Sequence, residues 1–377
     1  MPEEPLTYQD RPLRITYVAD AWNVHTHRWV GYFKDRGCEI KVISYRPWEI
    51  PGVEIYVHSI PPNGISTVPP FRQLYYLRDY MRVRSRLEWA DIVHVHFIYR
   101  FRFNLVYKGL PRLIVSTWGY DVVGESDKPE PESQTYWKKY VLRQATVLTA
   151  TTEFLARATR EYAPEGREIK VIPFGVDLDR FDPARYPQGR DEDQPFRIGF
   201  LKHLRMKYGP DVLIEATRVI RDRGYRIRTI IAGEGEDEDE LRRLARDKGV
   251  GRIVDFVGRI PHEEVPGFLA GLDVFCMPSR SESFGVAAVE AEAMEIPVVA
   301  TTVGGIPAAV DDGVTGMLVP PNDTVALADA VCSLLDDQGR RRSMGKAGRQ
   351  FVRERYDWLE NAGRMERLYR SLIETQS

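Results

Sequence analysis

The feature that most constrains the fold is an alternation that runs twice. Short runs rich in β-branched residues, "RITYVAD", "EIKVIS", "VEIYVHSI", "DIVHVHF", "LIVSTW", "TVLTATT" and "KVIPF", take turns with amphipathic helical stretches. One such stretch, "HRWVGYFKDRG", is stopped by Gly37. Strand and helix in alternation predict a parallel sheet covered on both faces. The pattern breaks at "GVDLDRFDPARYPQGRDEDQP", which is rich in Pro, Asp and Arg and has no period. It restarts with "FRIGFL", "RIRTIIAG", "IVDFVG", "DVFCMPS" and "PVVATT", and closes in helices from Asn322 onward. The expected fold class is therefore α/β, with two Rossmann-like doubly wound domains. The boundaries drawn are 1–180, a linker at 181–195, 196–355, and a terminal helix over 356–377 that packs back on the first domain. A chain of 377 residues exceeds one ordinary core, which agrees with two domains. Such sheets bind ligands at the C-terminal ends of their strands, so the two halves are expected to share a cleft.

Charge and cysteine content narrow the function classes. A net charge of −2 speaks against a general nucleic-acid binder. No apolar run approaches the roughly 18 residues that span a bilayer. The stretch "MPEEPLTYQDRP" is acidic and Pro-rich, unlike a signal peptide. Cys38, Cys276 and Cys332 are few and widely spaced, which predicts reduced core thiols and a cytoplasmic location.

The stretch "SRSESFGVAAVEAEAMEIPVVAT" carries the chemistry. Ser279, Ser281 and Ser283 are candidate caps for a helix starting near Phe284 or Gly285. At about 100° per residue, Val286, Ala287, Val289, Ala293 and Met294 form one apolar arc. Glu290 falls inside that arc, while Glu292 and Glu295 fall opposite and are expected in solvent. A carboxylate on an inward face is costly unless paired. Glu290 either pairs with a buried Arg, caps a loop, or accepts hydrogen bonds from ligand hydroxyls such as a ribose diol, since two acceptor oxygens match two neighbouring hydroxyls. The free backbone N–H groups at the helix start attract anions, and Gly285 allows close approach. Glu282 lies in the same turn. Together these features suggest a nucleoside diphosphate carrying a sugar.

On these residues the sequence resembles the retaining GT-B glycosyltransferases of the GT4 type. The Glu282–Glu290 pair, with seven residues between, sits in a block similar to the family's P-S-x-x-E-x-F-G…E-A-M-A-x-G-x-P-V-V-A-T. "VGGIPAAVDDGVTGMLVPPND" and "KVIPFGVDLDRF" resemble two further family blocks, so the resemblance covers almost the whole chain. It implies a sugar donor bound by the C-terminal domain, an acceptor bound by the N-terminal domain, retained anomeric configuration and neither metal nor cofactor. Residue by residue, it assigns Glu290 to the donor ribose and Glu282 to the sugar near the reacting carbon. Backbone at Ser283, Phe284 and Gly285 would meet sugar and diphosphate. "IGFLKHLRMKYGPDVLIEA" resembles the basic loop over the diphosphate, giving Lys202, Arg205 and Lys207, although the family's second lysine aligns with Tyr208. Gly258 and Arg259, in "FVGRIP", match the loop that meets the base. The family's H-G-x-D block reads "TWGYD", with Trp118 in place of the His and Asp121 kept. Trp118 stacks on a sugar or fills core space. The family's Gly-Gly loop is replaced by "DAWNVHTHRWV", which adds His27 to the acceptor or sugar side.

Other signals are weaker. His94 and His96 alternate onto one strand face and are expected as core or cleft residues, because two ligands do not make a metal site. "GEGEDEDE" lacks a third glycine, and its acids would repel a pyrophosphate. Residues 68–112 are basic and aromatic, which fits either an ordinary surface helix or a peripheral contact with the inner membrane face or a lipid-linked acceptor. Two rival readings remain open: a nucleotide-sugar epimerase or phosphorylase on the same fold, and a non-catalytic nucleotide-sugar-binding protein.

Overall fold

The structure, a computed structural model, describes residues 5–58, 69–98, 104–124, 131–186 and 193–375. The chain forms two compact units, Met1–Pro173 with Ala362–Ser377, and Phe174–Asn361. The first opens with an antiparallel hairpin, β1 (Thr7–Tyr8) and β2 (Arg11–Pro12). Its parallel strands are β3 (Arg14–Val18), β4 (Glu39–Ser44), β5 (Glu54–Val57), β6 (Ile92–His96), β7 (Leu113–Thr117), β8 (Val147–Ala150) and β9 (Ile169–Val171). They lie in the order β5-β4-β3-β6-β7-β8-β9. The second unit holds β10 (Phe196–Leu201), β11 (Ile227–Ala232), β12 (Val254–Gly258), β13 (Val274–Met277), β14 (Val298–Thr301) and β15 (Gly316–Val319), all parallel, in the order β12-β11-β10-β13-β14-β15. Every strand read from the sequence is present. Among the described residues, the strands that the sequence reading lacked are the hairpin and β15, whose "GMLV" has a single β-branched residue.

The near-continuous apolar strands explain why the sheets are doubly covered. β6 and β7 are buried at every position. Val93, Val95, Val115 and Leu148 pack with Leu87 and Leu142 from covering helices. Ile198, Phe200, Ile231 and Val274 do the same with Leu213 and Val331. In each sheet the strand order reverses once, beside β3 and beside β10. Loops leaving the C-terminal ends at those points face the ligand position of a doubly wound sheet.

The unit boundary differs from the one drawn from composition. Residues read as the tail of the first domain and the start of a linker are packed into the second unit. Val176 bridges to Asp357, and Phe181 is 2% exposed beneath Arg349, which donates to its carbonyl at 2.7 Å. Residues 187–192 of the expected linker lie outside the described residues, as do 68 and 99–103 of the basic segment. The terminal helix Trp358–Glu374 starts in the second unit, and from Ala362 on it belongs to the first.

Candidate functional site

In the second unit, β13 runs into the turn Ser279–Gly285 and then the helix Val286–Ala293. No serine caps this helix, contrary to expectation. Gly285 takes the N-cap position at φ 101°, a left-handed conformation open to glycine. The turn rests directly on Gly304 and Gly305. A Cβ at Gly304 would lie 1.9 Å from the Glu282 carbonyl oxygen, and one at Gly305 would lie 2.0 Å from that of Ser283. The Gly305 N–H donates to the Glu282 carbonyl at 2.9 Å. The glycine pair therefore fixes the turn's height, and side chains there would push it off the helix start.

The loop after β10 brings cations to the same place. Lys202 Nζ donates to Glu282 Oε2 at 2.6 Å, and the Glu282 side chain is only 9% exposed. Its other oxygen accepts the Ser283 N–H at 3.1 Å. Lys202 and Lys207 both lie over the Tyr208 ring, 4.9 and 5.0 Å from its centroid. Tyr208 thus becomes the plate against which both ammonium groups are set. Arg205 pairs instead with Glu236, which also meets His203 at 3.1 Å. Gly258 carries its carbonyl to the Gly233 N–H at 2.8 Å, and Arg259 beside it is exposed.

Arg280 was missed in the sequence. It forms a two-pronged ion pair with Asp211 at 2.8 and 2.6 Å, contacts the Met206 carbonyl, and donates to Asn322 Oδ1 at 2.6 Å. Its backbone N–H reaches the Lys207 carbonyl at 2.8 Å. One residue thus ties the carboxylate turn to the lysine loop. Its key partner is 69 residues away, so no local pattern marks it.

Glu290 is buried, with 7% exposed. The placing of Glu292 and Glu295 in solvent is overturned. Glu292 is 0% exposed and Glu295 is half-buried at φ 61°. The helix is covered on its supposed outer side by the helix Gln338–Arg355, whose Gly345 and Gly348 let it approach closely. A Cβ on Gly345 would lie 2.0 Å from the Glu295 carbonyl oxygen, and one on Gly348 3.1 Å from Glu292 Cβ. Thr315 Oγ1 donates to Glu292 Oε1 at 2.6 Å, while Oε2 has no hydrogen-bond partner among the described residues. Burial, helped by the charge of Asp311, pushes this carboxyl well above its ordinary range against the Thr315 bond.

In the first unit, Asp121 is buried and accepts the N–H groups of Ile98 at 3.1 Å and Gly119 at 2.8 Å. Burial lifts its pKa to about 6 although these bonds oppose it. It shapes the loop that presents Trp118. That indole lies 4.4 Å from the His96 ring and 6.3 Å from the His25 ring. His94 and His96 are core residues, 1% exposed each. His94 bonds Tyr369 Oη and Ser116 Oγ, both at 2.6 Å, and burial lowers its pKa to about 3, so it stays neutral. His27 Nε2 meets the Ala21 carbonyl at 2.6 Å. The three cysteines are buried free thiols.

Residues 184–351 match the family described as Glycosyl transferases group 1, and residues 23–180 match Glycosyltransferase Family 4. A D-inositol 3-phosphate glycosyltransferase of Corynebacterium urealyticum is 32% identical over 305 residues, 75% of this chain and 72% of the relative. Another, of Corynebacterium jeikeium, is 34% identical over 265 residues, 66% of this chain and 63% of the relative, so under two thirds of that relative's length is spanned. Anabaena HepE, solved in complex with UDP-glucose, is similar in fold with a TM-score of 0.76 at 18% identity, covering 95% of this chain and 100% of that one.

Proposed function

Because the chain belongs to the family 4, group 1 glycosyltransferases and has the GT-B fold, we propose that it moves a sugar from a UDP- or GDP-linked donor to a glycan, lipid-linked or small-molecule acceptor, with retention and without a metal. The observation that carries this is the Lys202–Glu282 pair at 2.6 Å, set beside Lys207 at the start of a helix that buries Glu290. Glu290 takes the ribose diol. Backbone at Ser283, Phe284 and Gly285 meets sugar and diphosphate, and Gly258 and Arg259 meet the base. Lys202 and Lys207 take up the charge that grows on the diphosphate as the glycosidic C–O bond breaks and its electron pair leaves with the phosphate. The acceptor hydroxyl attacks the same face, and its proton passes to the departing phosphate oxygen. Glu282, released from Lys202 when the diphosphate claims that cation, stabilises positive character at the reacting carbon. Trp118, Asp121 and His27 serve the acceptor or sugar side.

The test is a thermal-shift panel of UDP, GDP, dTDP, ADP and NAD. A specific ligand at about a hundred times its Kd adds roughly 2.7 kcal/mol. UDP or GDP is expected to stabilise the protein, and Glu290→Ala to remove that gain. Stabilisation by NAD alone would sink the reading.

A peripheral contact with an anionic inner membrane face belongs to the same proposal. On the helix Pro69–Trp89, Leu74, Leu77 and Met81 are 64%, 54% and 56% exposed at helical spacing, with Arg78 and Arg82 exposed beside them. No described helix is long and apolar enough to cross a membrane. Flotation with vesicles rich in phosphatidylserine should enrich the wild type, and Leu74→Ser/Leu77→Ser/Met81→Ser should abolish the enrichment. Equal recovery of both proteins would remove the idea.

A further inference from the structure

Two of the seven tryptophans, Trp22 and Trp48, are half exposed, at 48% each. Both stand in loops leaving the C-terminal ends of adjacent strands, β3 and β4, on the ligand-facing edge of the first sheet. The loops are fastened together rather than loose. The buried Ser44 Oγ accepts the Ala21 N–H at 2.9 Å, accepts the Arg46 N–H at 3.2 Å and donates to the Arg46 carbonyl at 2.9 Å. His27 holds the Ala21 carbonyl and lies edge-on to Trp48 at 6.3 Å. Between the indoles' loops sits a polar pair. Arg46 lies over the Trp22 ring at 5.7 Å, with its Nε 3.8 Å from Asp20 Oδ2. Asp20 Oδ1 also accepts the Trp22 N–H at 3.2 Å.

We propose that Trp22 and Trp48, with Asp20 and Arg46, form a binding platform for a neutral saccharide ring of the acceptor. A pyranose has a C–H face and a rim of hydroxyls that both donate and accept. Flat indoles offer the C–H groups an apolar surface at little entropic cost. A carboxylate beside a guanidinium offers the rim an acceptor and a donor at once. The Asp20 charge offsets that of Arg46, so the platform favours a neutral ring over a phosphorylated polyol. Exposure of two indoles has a cost in water that a ligand covering them relieves. The inference rests on the transferase reading and adds the chemical class of its acceptor.

The experiment is saturation-transfer NMR on the full chain with four probes: methyl α-D-glucopyranoside, methyl α-D-mannopyranoside, methyl β-D-galactopyranoside and myo-inositol 1-phosphate. At least one glycoside should show saturation at its ring C–H protons. The double variant Trp22→Ala/Trp48→Ala should weaken that binding about tenfold, and Asp20→Asn should weaken it too. The UDP thermal shift should persist in the double variant. No glycoside signal that depends on these tryptophans, or a signal from myo-inositol 1-phosphate alone, would overturn the platform. UDP binding without glycoside binding would do so while leaving the transferase reading intact. Glycoside binding without any nucleotide stabilisation would instead sustain the platform and sink that reading.

Discussion

Glu292 shows how far a single side chain can depart from its sequence pattern. A helical wheel assigns it to water, because the wheel sees only its own helix. The cover comes from a helix reading "GRRRSMGKAGRQ", which looks polar until its glycines are placed against Glu292 and Glu295. Glu290 was legible because its misfit lay within one helix. Glu292 was not, because its misfit needs two. The consequence is a pH dependence of fixed sign. The folded carboxyl holds its proton above the unfolded value of about 4.3, so the folded state binds more protons and stability falls as pH rises from there toward the raised value. The slope from this one group is at most about 1.4 kcal/mol per pH unit. Glu292→Gln keeps the Thr315 contact and removes that slope. Its urea midpoint should overtake the wild type's progressively from pH 5 to pH 8. Parallel profiles would show that Glu292 does not titrate between the two states.

Elements bring together what their sequences keep apart. The strands were readable because β-branched runs announce themselves. The join between the lysine loop and the carboxylate turn was not, since it rests on Arg280 reaching Asp211 at the start of another helix. Both prongs of the guanidinium are used, so a lysine cannot replace it. With Arg280→Ala, Lys207 loses its backbone anchor's partner geometry, and displacement of a catalytic group by about 1 Å can cost on the order of a hundredfold in rate. The expected outcome is a fall in kcat of about ten- to a hundredfold, with nucleotide affinity less affected and Arg280→Lys no better. Single-turnover and binding measurements on the three proteins decide it. A wild-type kcat in Arg280→Ala would show that the loop is held elsewhere. The glycines of "GEGEDEDE" belong to the same account. A Cβ at Gly235 would lie 2.2 Å from the Leu204 carbonyl oxygen and one at Gly233 would lie 1.9 Å from that of Lys202, so their spacing serves the close approach of the lysine loop.

At the scale of the whole molecule, the first unit is completed by residues that follow the second unit in the sequence, from Ala362 on. Tyr369 is fully buried, stacks on Phe33 at 4.5 Å, meets Tyr17 Oη at 3.3 Å and supplies His94 with a bond at 2.6 Å. Glu366 pairs with Arg36 at 2.6 Å, and Arg112 donates to the Leu372 carbonyl at 3.1 Å. A buried histidine robbed of its partner is costly, so Tyr369→Phe should lower the unfolding free energy by about 1–3 kcal/mol at neutral pH, measured by urea titration. No change would mean that water replaces the hydroxyl. The same feature sets an order of events on the ribosome. Domains emerging from synthesis commonly fold as they appear, the N-terminal one first. Here Tyr17 and Phe33, in the unit that emerges first, lack the cover of Tyr369 until the helix Trp358–Glu374 has followed the second unit out of the exit tunnel, while Phe174–Asn361 is contiguous and emerges in one run.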